Sequence, residues 1–236
     1  GFGKSKMTVL AAMGGKDEAR FDETADAWQH EVPAFNTLAV ECIAAPDAAL
    51  LPRVPGLADA LFQSDGTMTK QEIRAATLAK LMPMRGALLW DIGCGSGSVA
   101  IEWMRAARYA RAIGIEPRAD RRAMAGANAM ALGAPKLELV DGMVPDALGG
   151  LPAPDAIFIG GGLSRPTFDA AWAALRPLGR LVANAVTLES EAELMALHAE
   201  FGGELVRISV CRAEPVGRLT GWRPSMPVTQ WSLVKR

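Results

Sequence analysis

The segment Leu88-Leu89-Trp90-Asp91-Ile92-Gly93-Cys94-Gly95-Ser96-Gly97 constrains the fold more than any other stretch of the chain. An apolar run passes through an acid into three glycines at alternate positions, and a helix-forming stretch follows from Ser98. The pattern reads as a buried strand, a turn that lets the backbone approach a ligand closely, and a helix start that offers free N–H groups. Asp91 falls at the strand's carboxyl end, where open α/β sheets bind ligands. A dinucleotide site would need G-x-G-x-x-G, but position 98 is Ser. A P-loop would need a lysine that this turn lacks.

The spacing Asp91-x-Gly93-x-Gly95-x-Gly97 resembles motif I of class I S-adenosylmethionine (SAM) methyltransferases. In that family the turn surrounds the methionine part of SAM, so the resemblance implies SAM as cofactor, with Asp91, Gly93, Gly95, Ser96 and Gly97 at its site. Ala112-Ile113-Gly114-Ile115-Glu116 reads as a second strand ending in an acid, about one βαβ step after Asp91. The Glu116 carboxylate either accepts both ribose hydroxyls or starts the next helix. Lys136–Gly142 supplies a third strand and turn, beside which methyltransferases place the adenine. Many members carry an acid just after that glycine, where this chain has Met143. A backbone carbonyl or Asp141 then reads the adenine amino group, with Gly142 in the turn and Met143 as a soft apolar wall. Asp155–Gly162 is the fourth strand, and its loop offers Gly160 and Gly161 as a flat floor.

The chain has 236 residues, half of them hydrophobic, with a formal net charge of −1. That length suits one α/β domain plus about 40 to 60 further residues. A basic stripe is lacking, which argues against a nucleic-acid partner. Apolar runs fall short of the ~20 residues of a membrane span, so no membrane partner is expected. Cys42, Cys94 and Cys211 form no paired framework, which fits a reducing cytoplasm, and with only His30 and His198 beside them no metal site is expected. The opening Gly-Phe-Gly-Lys-Ser-Lys has no signal-peptide pattern, and a start without Met reads as a piece of a longer chain.

Residues 1–46 stand outside the α/β pattern, with a short helix over Met7–Met13 stopped by Gly14-Gly15 and a strand-like Thr37–Ala44. Residues 47–65, rich in Pro, Ala and Leu, read as a linker. From 66 to 236 helices and strands alternate: helix 69–81, strand 88–92, helix 98–107, strand 111–116, helix 118–132, strand 136–140 and short helix 144–148. Strand 155–160, helix 166–175, strand 179–184 and helix 188–200 follow. Thr69 with Glu72 reads as a capping box for the first of these helices. The chain closes with strand-like 204–211 and 229–234, an antiparallel pair joined by a loop rich in Arg, Gly, Pro and Trp. The expected fold is α/β and Rossmann-like, a seven-stranded mostly parallel sheet with helices on both faces.

Base-modifying amino methyltransferases carry Asn/Asp-Pro-Pro-Tyr/Phe after the fourth strand. Here stands Ile159-Gly160-Gly161-Gly162, with no aromatic ring to stack a flipped base. That segment, motif I, Gly66-Thr67-Met68-Thr69-Lys70-Gln71-Glu72-Ile73-Arg74 and Asn184-Ala185-Val186-Thr187-Leu188-Glu189 together resemble the precorrin-6Y C5,15-methyltransferases (decarboxylating) of cobalamin biosynthesis. Residues 66–236 are similar to their C-terminal, CbiT-like half. Ser5–Leu10 with Gly14-Gly15 and Ala39–Cys42 resemble the tail of the CbiE-like half, so 1–46 is expected to end such a domain.

The resemblance implies methylation of carbon 15 of a precorrin-6B-type tetrapyrrole and decarboxylation of its carbon 12 acetate. It also implies a homotetramer and adds Met68 and Thr69 to the cofactor site. A substrate with many carboxylates calls for cationic and amide donors, and Arg is the preferred bidentate partner. Lys70 and Arg74 lie four apart on one helix face, and Arg165 follows the glycine floor. Asn184 and Thr187 end the fifth strand, where each bonds a propionate or caps the next helix. Arg212 and Arg218 occupy the late loop, and Glu72 is a cap, a SAM contact or a proton donor. Two other readings stand beside this one: a SAM-dependent tRNA adenine methyltransferase, and a cofactor-binding module without catalysis.

Overall fold

The computed structural model describes every residue from Gly1 to Arg236, and the chain divides into two units, Gly1–Leu51 and Pro52–Arg236. In the first unit, β1 (Lys6–Ala11) pairs antiparallel with β2 (Ala19–Thr24) on one side and β3 (Asn36–Glu41) on the other. The helix expected over Met7–Met13 is therefore a strand. Seven residues are too few to repay helix nucleation, whereas Val9 and Ala11 are buried as strand residues with ladder bonds on both edges.

In the second unit the order is α1 (Gln71–Leu81), β4 (Leu88–Ile92), α2 (Ser98–Ala106), β5 (Arg111–Ile115), α3 (Ala119–Ala131), β6 (Glu138–Val140) and β7 (Ala156–Ile159). Then come α4 (Arg165–Ala174), β8 (Arg180–Ala185), α5 (Leu188–Phe201) and β9 (Glu204–Ile208). β10 (Cys211–Val216), β11 (Leu219–Pro224) and β12 (Val228–Val234) complete it. Seven strands form one sheet in the order β6-β5-β4-β7-β8-β12-β9, parallel except for β12, which runs antiparallel to both neighbours. Two departures from expectation are local. The stretch 144–148 holds only a 3-10 turn, Asp146–Leu148, and the Arg-rich loop between the last sheet strands contains the β10–β11 hairpin.

Alternation along the central strands divides the core between the two sheet faces. Leu88, Trp90 and Ile92 of β4 join Ile157 and Ile159 of β7 on the face covered by Phe168 and Ala171 of α4 and Leu194 and Leu197 of α5. Leu89, Ala156 and Phe158 point the other way, onto Leu78 and Leu81 of α1 and Val99 and Trp103 of α2. Both faces being covered, the strand interiors carry almost no exposed position, and function is left to the strand ends and their loops.

Part of the expected linker, around Gly56–Phe62, packs onto α1 and α2. Leu57 and Phe62 are buried, and the Glu102 carboxylate on α2 accepts N–H bonds from Gly56 (2.5 Å) and Leu57 (3.0 Å). Arg74, placed by sequence among the substrate contacts, is the hub of this packing. It is fully buried and donates to Glu102 (2.5 Å), Asp59 (3.1 Å), the Thr69 carbonyl (2.6 Å) and the Leu57 carbonyl, with its guanidinium over the Phe62 ring. It therefore ties the segment before α1 to α2 and does not face a ligand. The capping box at Thr69 also fails to form: the helix starts one residue later, and its N-cap, Lys70, has no side-chain acceptor to offer.

Removing Arg74 strands the Glu102 carboxylate in the interior. Arg74→Ala is expected to destabilise the protein by about 3–5 kcal/mol in urea unfolding. A loss within the surface range of about 0.5 kcal/mol would contradict the hub role.

Candidate active site

The turn after β4 sits at the point of the sheet where the chain first runs outward through β5 and β6 and later returns beside β4 as β7. The Gly93 and Cys94 N–H groups donate to the Ile115 carbonyl, and the Gly97 N–H closes back on the Cys94 carbonyl at 2.8 Å. Gly93 has φ +70°, and a Cβ there would lie 2.8 Å from the Gly161 nitrogen, so only glycine allows the two loops to meet. Gly97, at φ +77°, is the N-cap of α2, and a Cβ there would press on Ala125 at 3.1 Å. Above this junction lies a cavity of about 620 Å³. It reaches from Glu116 and Gly142, over the glycine loop, to Asn184 and the strand ends around Arg212 and Val228.

Two acids face each other's field at the floor. Asp91 is 1% exposed; its Oδ2 accepts the Ala100 N–H at 2.9 Å, while its Oδ1 has no partner. Burial pushes its pKa up to about 7, and the nearby Glu116 charge adds to the rise. Glu116 is 3% exposed and accepts N–H bonds from Gly95 and Arg118, each at 3.1 Å. The Ser96 hydroxyl is also buried without a partner. Burial raises the Cys94 thiol pKa, which disfavours the thiolate, and its side chain packs against Gly114.

Of the residues expected at the cofactor, Met68, Thr69, Asp91, Gly93, Gly95, Ser96, Glu116, Gly142, Met143, Gly160 and Gly161 line the cavity. Gly97 does not, being taken up by the helix cap. Asp141 does not either: its exposed carboxylate pairs with Arg122 at 2.8 Å. Of the residues expected at the substrate, Lys70 and Asn184 line the cavity. Arg165 lies away from it, held by Asp169 (2.8 Å) and Glu200 (2.5 Å) and stacked on Phe201, because the first turn of α4 points its side chain across to α5. Thr187 is a helix cap, accepting the Ser190 N–H, and Arg218 lies outside the cavity. Arg212 is on the cavity wall and reaches Glu72 at 2.6 Å.

Several lining residues gave no local sequence signal. Ile73, Val99 and Phe158 look like core in the sequence, and Val186, Val210, Ser225, Met226 and Val228 arrive from the ends of β8, β9 and β12 only through the sheet order. Asp65 clamps the loop before α1 through Arg121 (2.7 Å), and this pairing holds its carboxyl below the usual carboxylate range. Such contacts depend on tertiary approach and not on spacing.

The family model described as a precorrin methyltransferase domain matches residues 60–235. This chain belongs to that family. It is 51% identical over its full length to a protein of Sinorhizobium sp. named precorrin-6Y C5,15-methyltransferase (decarboxylating), and spans 57% of that protein. Over 74% of its length it is 35% identical to a probable cobalt-precorrin-6B C15-methyltransferase (decarboxylating) of Pyrobaculum calidifontis, covering 93% of it. The crystal structure of the C-terminal domain of precorrin-6Y C5,15-methyltransferase from Rhodobacter capsulatus superposes with a TM-score of 0.74 at 51% identity, covering 78% of this chain and all of that one. The fold is that of the class I SAM-dependent methyltransferases, and SAM is the cofactor of this family.

The family's cofactor suits the residues present. An unpartnered carboxylate oxygen on Asp91 and an unpartnered Ser96 hydroxyl, both buried, stand where a cationic, polar methionine end would satisfy them. Glu116 lies within the same cavity, one strand over, where a pair of ribose hydroxyls can donate to it.

An acid with a raised pKa in the folded state binds more protons folded than unfolded. The free protein therefore loses stability from Asp91 as pH rises from 3.8 to about 7. A cation that pairs with the carboxylate has the opposite preference. SAM affinity, measured by calorimetry, is expected to rise several-fold between about pH 6 and about pH 8, and Asp91→Asn to bind more weakly with a flatter profile. An unchanged pH profile in Asp91→Asn would contradict the role of Asp91.

Proposed function

We propose that the unit Pro52–Arg236 transfers a methyl group from SAM to carbon 15 of a precorrin-6B-type tetrapyrrole and releases carbon dioxide from the carbon 12 acetate. The observation that carries this reading is the continuity of the cleft. Its inner half holds the two buried acids and the glycine turn, and its outer half mixes apolar Val186, Val210, Met226 and Val228 with the donors Lys70, Asn184 and Arg212. A large planar ligand with carboxylates at its edge fits such a lining. No aromatic side chain stands on the glycine loop, which disfavours a stacked nucleobase.

SAM supplies an activated methyl group on a sulfonium, so the protein's task is alignment more than activation. Asp91, Ser96 and Glu116 fix the donor from below and from the side. The floor of Gly160, Gly161 and Gly162 admits the macrocycle edge without a side chain between the reacting carbons. A bond forms from the meso carbon to the methyl carbon as the carbon–sulfur bond breaks. In the decarboxylation the bond between the acetate carbons breaks, its electron pair enters the conjugated ring and a proton replaces the carboxyl group. Val210 and Val228 give this part of the cleft an apolar wall, and an apolar surrounding favours loss of the carboxylate's charge.

The same reading makes residues 1–46, within the unit Gly1–Leu51, the end of a preceding CbiE-like domain, supported by relatives longer than this chain. It also includes a homotetramer, on the family resemblance alone, and a cytoplasmic setting, supported by three free cysteines. No helix is long and apolar enough to cross a membrane. Incubated with labelled SAM and a precorrin-6B-type substrate, the protein is expected to yield a product that mass spectrometry shows to have gained one methyl and lost one carbon dioxide. Methyl transfer to tRNA in place of the tetrapyrrole would overturn the reading.

A further inference from the structure

Asn184 ends β8 at the outer half of the cleft, half-buried. The antiparallel register sets it opposite Gln230 of β12, on the sheet face that carries α1. Thr77 of α1 meets both. Its Oγ1 accepts N–H bonds from Asn184 Nδ2 at 3.1 Å and from Gln230 Nε2 at 3.0 Å, and Gln230 Nε2 also donates to Asn184 Oδ1 at 3.0 Å. Thr77 and Gln230 are 0% and 2% exposed, so water does not compete for these bonds.

The network favours one orientation of the Asn184 amide, the one that makes three bonds. Turning Asn184 alone would set its NH₂ against the Gln230 NH₂, donor to donor. Turning both amides would leave two bonds in place of three, because a hydroxyl with a single hydrogen can serve only one of the two carbonyl oxygens. In the favoured orientation, Asn184 Oδ1 is engaged by Gln230, and one N–H of Nδ2 is engaged by Thr77. Asn184 keeps its second N–H as a donor, while its carbonyl oxygen is turned toward the buried Gln230.

We propose that Thr77 and Gln230 are positioning residues that lock Asn184 as a hydrogen-bond donor and so make this end of the cleft a carboxylate subsite. Arg212 and Lys70 on the same cavity wall supply the matching charge, with Glu72 holding Arg212 until a ligand carboxylate takes its place. The inference rests on reading the outer half as the substrate site. It adds that the ligand group opposite Asn184 is an acceptor, and that its recognition depends on two residues that do not touch it.

The test uses a porphyrin bearing acetate and propionate side chains and its neutral methyl ester, titrated by fluorescence in the presence of S-adenosylhomocysteine. Wild type is expected to prefer the acid. Asn184→Asp is expected to weaken the acid by about tenfold or more and to leave the ester unchanged. Thr77→Val should weaken the acid several-fold through the freed amide, and Thr77→Ser, which keeps the acceptor, should restore it. S-adenosylhomocysteine affinity should stay constant in all of them. Equal binding of acid and ester by wild type would overturn the proposal. So would parallel losses of porphyrin affinity, S-adenosylhomocysteine affinity and melting temperature in Thr77→Val and Asn184→Asp. Failure of methyl transfer to the precorrin in wild type would instead count against the proposed reaction, and leaves the acid–ester comparison standing as its own test.

Discussion

The close approach of two backbones at the carboxyl ends of β4 and β7 is the constraint on which the site depends. The sheet order makes these strands neighbours although a long stretch of chain separates them. Their loops can touch only because Gly93 lacks a side chain and takes a left-handed conformation against Gly161. From this junction the cleft opens in two directions. Toward β5 it meets Glu116, and toward β8 and β12 it meets Asn184, Val228 and the wall bearing Arg212. In the proposed reaction the methyl donor occupies the first side and the acceptor the second, with the Gly93–Gly161 junction between them.

Stability and function share one buried network. Arg74 and Glu102 join α1 to α2 and capture the backbone of Gly56 and Leu57, which anchors the loop of Met68 and Thr69 that covers the cavity. The site itself is less satisfied. Asp91 Oδ1 and Ser96 Oγ are buried without partners, and Asp91 carries a strongly raised pKa. A third buried atom without a partner, Trp90 Nε1, lies in the core away from the cavity, so it is the pairing of two such groups with the cavity wall that points to a ligand at Asp91 and Ser96.

The strand–turn–helix at 88–98, the alternation of elements and the acids Asp91 and Glu116 were legible because each rests on local spacing. The cavity lining follows that reading for the glycine turn. Charged side chains were harder to place. Arg74, Arg165, Asp141 and Arg212 all look alike in sequence, yet one is a buried hub, one a surface pair, one an ion pair outside the cleft and one part of the cavity wall. Which partner an arginine finds depends on tertiary approach, and periodicity carries no information on that. The strand at Lys6–Ala11 escaped for the same reason, since its pairing partners lie elsewhere in the first unit. Thr77 and Gln230 gave no local signal, since α1 and β12 both carry other polar residues and the pairing of these two is set by the sheet register.

The central claim is that the donor and the tetrapyrrole meet over the glycine junction. A crystal structure of the protein with S-adenosylhomocysteine and a tetrapyrrole polycarboxylate tests it most directly. The sulfur is expected beside Gly93–Gly95, with the macrocycle edge on Gly160–Gly162 and a side-chain carboxylate at Asn184 and Arg212. A tetrapyrrole bound elsewhere, or a sulfur separated from the macrocycle by protein side chains, would contradict the account.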